Sequence, residues 1–247
     1  MDYLEKIIAD MECLSVEGIR SCFEHGIDPN TVFRGKPLIY ELITEYGRGE
    51  KFSACVQEFI AFGLKFNDVV LLAVLSNNAD QLKRELKINP KVINNKYSIN
   101  CAFTPLYEVS LLHLCAEFNH VSCAEILLQH GVDVNEKAGV DVYGFGGQTP
   151  IFHTVNQHAD AGKEMRNFLI AHGADLQETI KGFIWGKEYT WETLIPAVNP
   201  ISYAMMGLLP QFHRSEQQIG DTVSDLLNAA FGINYTSQNI PNAYLKN

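Results

Sequence analysis

The sequence predicts an all-α fold built from repeated helix–turn–helix units with extended β-hairpin fingers, and three observations indicate it. Residues 109–135, VSLLHLCAEFNHVSCAEILLQHGVDVN, hold one complete unit of two short helices joined at Asn119-His120. A closing signature with a glycine in second place recurs at 25–30, 62–67, 130–135 and 172–176. An opening signature recurs at 36–39, 68–71, 149–152 and 199–202. Such self-similarity, with a period of about 33 residues, is typical of stacked helical units.

Six units are expected within a single domain over residues 1–235. Their ranges are near 3–30, 36–67, 68–94, 109–135, 147–177 and 199–232, and residues 236–247 form a C-terminal tail. The glycine of each closing signature ends a second helix because the chain there needs a left-handed conformation. Thr, Asp or Asn in the opening signature caps the first helix, and a capping box is expected at Ser215 and Gln218.

Three insertions lie between the closing signature of one unit and the opening of the next, near 95–108, 136–147 and 178–195. We expect each insertion to lengthen a β-hairpin into a finger. In the third finger, two short aromatic strands flank Gly186-Lys187, which suits a tight two-residue turn. A further insertion around Leu208–Arg214 lengthens the turn inside the last unit.

The unit at 109–135 resembles an ankyrin repeat. Ser110, Leu112, His113 and Ala116 stand where that repeat carries its Thr-Pro-Leu-His-x-Ala-Ala stretch, and residues 130–135 stand where it closes. The resemblance implies an ankyrin-repeat solenoid that acts as a non-catalytic scaffold for protein–protein interaction. It also implies structural hydrogen bonds for the histidines at repeat positions, which are His25, His113, His120, His130 and His172.

The resemblance further implies that a partner docks on the concave face, at exposed positions that follow the Ala-Ala of each first helix. In this sequence those positions include Glu117, Phe118, Asn156, Gln157 and Met206. The fingers add a set of aromatic side chains, namely Tyr143, Phe145, Phe183, Trp185, Tyr189 and Trp191. Aromatic side chains concentrate binding energy in interfaces, so we expect these residues to bind the partner. The alternative is that they only hold the fingers together.

Composition narrows the class of partner. Nineteen Lys and Arg against 29 Asp and Glu give a net charge of −10, which repels nucleic acids and anionic membranes. We therefore expect a protein partner with a basic or neutral docking patch, bound by a monomer. Six cysteines without C-x-x-C spacing, no secretory signal and no apolar run of about 18 residues favour a cytoplasmic protein.

No catalytic, cofactor or metal motif stands out, so the expected protein is not an enzyme and holds no cofactor or metal. Two alternatives remain open. In one, the chain is an inhibitor or immunity-type protein whose negative surface occludes a toxic enzyme. In the other, the loops form a small-molecule or enzymatic pocket, which would be lined by His153, His158 or His213 together with a carboxylate.

Overall fold

The computed structural model of the chain describes residues 2–45, 47–100, 104–187, 189–206 and 214–236. Three features named from the sequence fall wholly or largely outside these ranges: the insertion around Leu208–Arg214, His213 and the C-terminal tail. Within the described ranges, the chain forms a helical repeat fold with three small two-stranded sheets. Every described helix is too short or too polar to cross a bilayer.

The described helices come in consecutive pairs. Five of the six described pairs consist of two α-helices. The first four pairs are α1 (Tyr3–Glu12) and α2 (Val16–Glu24), α3 (Ile39–Thr44) and α4 (Phe52–Ala61), α5 (Val69–Leu75) and α6 (Ala79–Ile88), and α7 (Leu111–Phe118) and α8 (Val121–Gln129). The sixth pair is α10 (Pro200–Met205) and α11 (Glu216–Phe231). A 3-10 helix, Pro90–Asn94, follows α6.

The fifth pair differs from the others in its first helix. The sequence predicts an α-helix after Thr149-Pro150, but the structure has a 3-10 helix at Pro150–Thr154 and a short 3-10 turn at His158–Asp160. Its second helix, α9, spans Lys163–Ala171. The predicted cap is wrong here, because the side chain of Thr149 makes no capping hydrogen bond. At Asp68 and Asn199 the predicted side-chain caps are confirmed.

Successive pairs pack against each other. α7 contacts both α5 and the 3-10 helix of the fifth pair, while α8 contacts α6 and α9. Asparagines of the closing signatures join neighbouring units: the amide of Asn135 donates to the Gly173 carbonyl (3.0 Å) and accepts from the Asp175 amide (2.7 Å). Asn30 bonds Gly63 and Lys65 in the same way. We call the side formed by the first helices the first-helix face.

Several local predictions are confirmed. The closing glycines Gly26, Gly63, Gly131 and Gly173 all have positive φ, between 84° and 97°, so their lack of a side chain is what lets the chain turn there. The capping box at Ser215 and Gln218 is present at the start of α11. His25, His130 and His172 each donate through Nδ1 to the carbonyl four residues earlier, at 2.7–2.8 Å.

In the part of the chain that the structure describes, four hairpins project between the pairs. The first is short, with β1 (Val32–Phe33) and β2 (Lys36–Pro37). The first long finger pairs β3 (Tyr97–Ile99) with β4 (Leu106–Val109), and the second is closed by a bridge between Val140 and Gly146. The third finger pairs β5 (Ile180–Trp185) with β6 (Thr193–Val198).

The expected two-residue turn at Gly186-Lys187 in the third finger is wrong. Trp185 pairs with Thr193, so the two strands end at these residues, and Tyr189 and Trp191 lie between the strands instead of within one. The Trp191 ring packs directly over Gly186, where a Cβ would come within 1.9 Å of that ring. Stacking of Trp191 on this glycine therefore takes the place of a tight turn.

Candidate protein-binding surface

The residues predicted to be exposed on the first-helix face are largely buried. Phe118 is 3% exposed, and Glu117 and Gln157 are also buried. Asn156 and Met206 are half-buried. The expectation that Glu117, Phe118 and Gln157 present their side chains on an open surface is therefore wrong.

The loop between α3 and α4 covers this part of the face. From it, Arg48 donates through Nε to Glu117 Oε1 (2.7 Å), and its guanidinium lies 4.7 Å from the centre of the Phe118 ring. On α4, Phe52 stacks on Phe118 with a centroid distance of 4.3 Å. These contacts join the second pair to the fourth and skip the third. We call the Arg48–Glu117 contact and its aromatic neighbours the clasp.

Glu117 sits at the centre of a buried polar network. Its second oxygen, Oε2, accepts from His153 Nδ1 (2.8 Å). Burial alone would raise the pKa of Glu117, but Arg48 and His153 outweigh it and hold that pKa below its usual value. The Gln157 amide donates to the backbone carbonyls of Glu117 (3.0 Å) and His153 (2.7 Å). These hydrogen bonds are made within the chain, while His153 Nε2 is buried without a partner among the described residues.

A second long-range contact covers the other part of the face. The hydroxyl of Tyr203 on α10 hydrogen-bonds Thr104 Oγ1 (2.9 Å), in the segment that leads into β4. Burial raises the pKa of Tyr203 to about 12. Phe183 packs edge-on against the Tyr203 ring at 5.1 Å. Phe183 therefore holds the third finger against α10.

The long fingers are joined to one another through their backbones. The Gly139 amide of the second finger donates to the Tyr107 carbonyl of the first (3.1 Å), and the Gly146 amide donates to the Gly182 carbonyl of the third (2.7 Å). Ion pairs reinforce these links, with Lys137 on Glu178 (2.6 Å) and Lys96 on Glu136. The three long fingers form one continuous surface, which we call the finger surface.

The predicted finger aromatics divide into buried and exposed sets. Phe183 and Trp185 are buried, which favours for them the alternative of holding the finger together. Tyr189 and Trp191 are more than 40% exposed and Tyr143 is 73% exposed, while Phe145 is half-buried. Trp191 packs on Trp185 (4.9 Å) and stacks with Tyr189 (4.8 Å), so the buried tryptophan supports the exposed one. Lys181 lies over the Phe145 ring at 4.7 Å.

Aliphatic residues that the sequence reasoning missed extend this exposed set. They are Val140, Val142 and Leu194, of which Val142 is 93% exposed. The signal available in the sequence was the run GVDVYGFGG, where valine and tyrosine stand among turn residues at a hairpin tip. Apolar side chains that stand together on a surface, unlike single exposed ones, are typical of interaction sites.

The described residues of this surface show no arrangement typical of a metal site or a catalytic site. Among the described residues, no group of three or more His, Cys, Asp or Glu side chains is arranged to hold a metal ion. His153 does contact a carboxylate, as the enzymatic alternative requires, but its side chain has no exposed surface. Burial lowers the pKa of His113 to about 3 and raises that of Cys55 to about 11, which suits structural groups.

Comparison with known proteins agrees with the repeat pattern. The family model for the ankyrin repeat matches residues 107–138, which contain α7, α8 and the closing signature. No curated protein sequence matches the chain. In that segment His113 accepts from the Ser110 hydroxyl (2.8 Å) and donates to the Gln148 carbonyl (2.9 Å), which ties the unit to its successor. The chain therefore carries an ankyrin repeat, placed at the middle of its stack of helical pairs.

Proposed function

We propose that the chain is a non-catalytic scaffold that binds another protein through its finger surface. Ankyrin repeats in general mediate protein–protein interaction, which supports the class of function. The observation that carries the proposal is the distribution of exposed apolar area. Around Phe118 the first-helix face is filled by side chains of the chain itself, whereas Val142, Tyr143 and Trp191 stand exposed on the fingers.

The finger surface is well suited to hold such residues in place. Backbone hydrogen bonds and ion pairs join its three fingers, and Phe183 anchors the third finger against Tyr203. A surface that is ordered before binding loses little conformational entropy when a partner docks. We propose that all six units form one ankyrin-type solenoid that supports these fingers. Five described cysteines are free thiols, which supports a reducing, cytoplasmic location.

Site-specific photo-crosslinking tests this proposal. A benzoylphenylalanine residue placed at position 143 should form a discrete adduct with a protein from the native cell. The same residue at position 125, on the exposed side of α8, should not form it. The pair of substitutions Val142→Ser and Leu194→Ser should abolish the adduct while leaving the circular dichroism unchanged. Equal adducts from both positions, or an adduct that survives the double substitution, would reject the finger surface.

Salt dependence separates this proposal from an inhibitor that attracts a cationic enzyme cleft. Residues 95–108, 136–147 and 178–198 contain four lysines and six acidic residues, so the finger surface is nearly balanced in charge. Association through it should therefore change little between low and physiological salt. An association rate that falls steeply with added salt would favour the inhibitor.

A further inference from the structure

A narrow slot of about 50 Å³ opens on the finger surface where the three long fingers meet. Tyr107 lines it from the first finger, Phe145 from the second and Ile184 from the third. Tyr107 is 45% exposed, and Phe145 and Ile184 are half-buried, so the slot is open to solvent. We call it the finger slot.

The backbone fixes the shape of the finger slot. Gly139 and Gly146, which line it, carry the hydrogen bonds that join the second finger to the first and to the third. A Cβ at Gly146 would lie 2.3 Å from the Gly139 carbonyl oxygen, and a Cβ at Gly139 would lie 2.6 Å from the Glu108 side chain. Because neither position has room for a side chain, the fingers meet backbone to backbone. The slot is thus formed before a partner binds, which lowers the entropy cost of filling it.

The size of the finger slot limits which side chain can enter it. A cavity of about 150 Å³ holds a molecule of benzene. The slot has about a third of that volume. It therefore has room for the methyl groups of a branched aliphatic side chain but not for an aromatic ring.

The charges at the finger slot disfavour an ionised side chain. Asp141 and Lys187 both line it, so their opposite charges leave no net attraction for an ion. The Asp141 carboxylate is also engaged within its own finger, where Oδ1 accepts from the amides of Tyr143 and Phe145 at 2.9 Å each. An ion that entered would lose hydration without a free partner in return. The slot therefore favours an uncharged side chain.

We propose that the finger slot holds a single leucine side chain of the partner protein. This inference rests on the proposed function and names the group that anchors the partner. Ile184 pairs with the exposed Leu194 across the third finger, so the slot is continuous with the exposed apolar residues of the finger surface. A few side chains that fill such pockets contribute most of the binding energy of an interface. The partner is thus a protein that presents an exposed leucine.

Nuclear magnetic resonance titration of the isotope-labelled full chain tests the proposal with three blocked amino acids, Ac-Leu-NH2, Ac-Phe-NH2 and Ac-Lys-NH2. The leucine probe should shift the backbone amide signals of Gly139, Gly146 and Ile184 along saturable curves in the millimolar range. The phenylalanine and lysine probes should each bind at least threefold more weakly, because one is too large and the other is charged. Equal or tighter binding of either probe, shifts confined to other residues, or no saturable shift would overturn the proposal.

A variant that enlarges the slot separates this binding from a general apolar effect. Ile184→Ala removes part of one wall, so it should reduce the preference for the leucine probe over the phenylalanine probe at least threefold. Leu194→Ala is the matched control, because Leu194 pairs with Ile184 but does not line the slot. Circular dichroism checks that both variants are folded. An unchanged preference in Ile184→Ala, or an equal loss in both variants, would overturn the proposal.

The titration needs no partner protein, so its outcome is independent of the photo-crosslinking test. The variant with Val142→Ser and Leu194→Ser should bind the leucine probe normally, because neither residue lines the slot. Failure of the finger surface as a docking site and failure of the slot can therefore be told apart.

Discussion

Replacing Arg48 by methionine should destabilise the fold strongly, because it leaves a carboxylate buried without its cation. The side chains of Arg48 and Glu117 are only 4% and 6% exposed. Methionine keeps much of the packing against Phe118 but removes the charge and the hydrogen bond. Loss of one partner from a buried ion pair costs about 3–5 kcal/mol. In a domain of this size, that corresponds to a fall in Tm of about 10 °C.

Urea unfolding followed by circular dichroism measures this cost, and the chain provides a matched control. Arg20 also pairs with a glutamate of another helix, Glu58 (2.6 Å), but its side chain is 52% exposed. Water can solvate the Glu58 carboxylate once Arg20 is gone, so Arg20→Met should have a much smaller effect.

A double substitution tests the physical reason for the effect. If the cost arises from the isolated carboxylate, then Arg48→Met combined with Glu117→Leu should be more stable than Arg48→Met alone. The reasoning is refuted if Arg48→Met lowers the unfolding free energy no more than Arg20→Met does. It is also refuted if Glu117→Leu costs as much stability in the Arg48→Met variant as it does in the original chain.

Two further predictions concern pH and the fingers. Burial lowers the pKa of His113 to about 3 and of His120 to about 4 from 6.5, so only the unfolded chain gains these protons as the pH falls. The unfolding free energy should stay level above pH 6.5 and fall below it, by about 1.4 kcal/mol per pH unit for each histidine. Urea titrations at pH 7, 6 and 5 measure this slope, His120→Gln should reduce it, and a flat profile would contradict the assignment. In the third finger, Phe183→Ala should lower the unfolding free energy by about 3–5 kcal/mol, because the ring is buried against Tyr203. Tyr143→Ala should leave the midpoint of urea unfolding nearly unchanged. Equal effects of the two substitutions would show that the two positions do not differ in burial.

Local rules of backbone and capping predicted much of the helical fold. The closing glycines, the caps at Asp68 and Asn199 and the capping box at Ser215 depend only on neighbours within a few residues. The same holds for His25, which bonds a carbonyl four residues away. Such features can be predicted because the sequence contains both partners side by side.

The candidate site was harder to predict because its environment comes from distant residues. Nothing in the loop around Arg48 indicates that it reaches Glu117, 69 residues later, so the burial of Phe118 could not be foreseen. The prediction of a tight turn in the third finger was wrong for a related reason. Its Gly186-Lys187 pair suits a tight turn, but packing of Trp191 on Trp185 favours a longer loop. Side-chain contacts across the loop outweighed the local turn preference.

The Arg48–Glu117 and Thr104–Tyr203 contacts limit where this chain can gain or lose helical pairs. In a regular array each unit touches only its neighbours, so units can be added or removed with little disturbance. Here, the Arg48–Glu117 contact passes over the third helical pair, and the Thr104–Tyr203 contact passes over the fourth and fifth pairs. Packed helices are spaced about 8–10 Å apart, so one additional internal pair would carry the two groups out of reach of each other. The number of pairs between these anchoring residues is therefore fixed, and new units can be gained only beyond them.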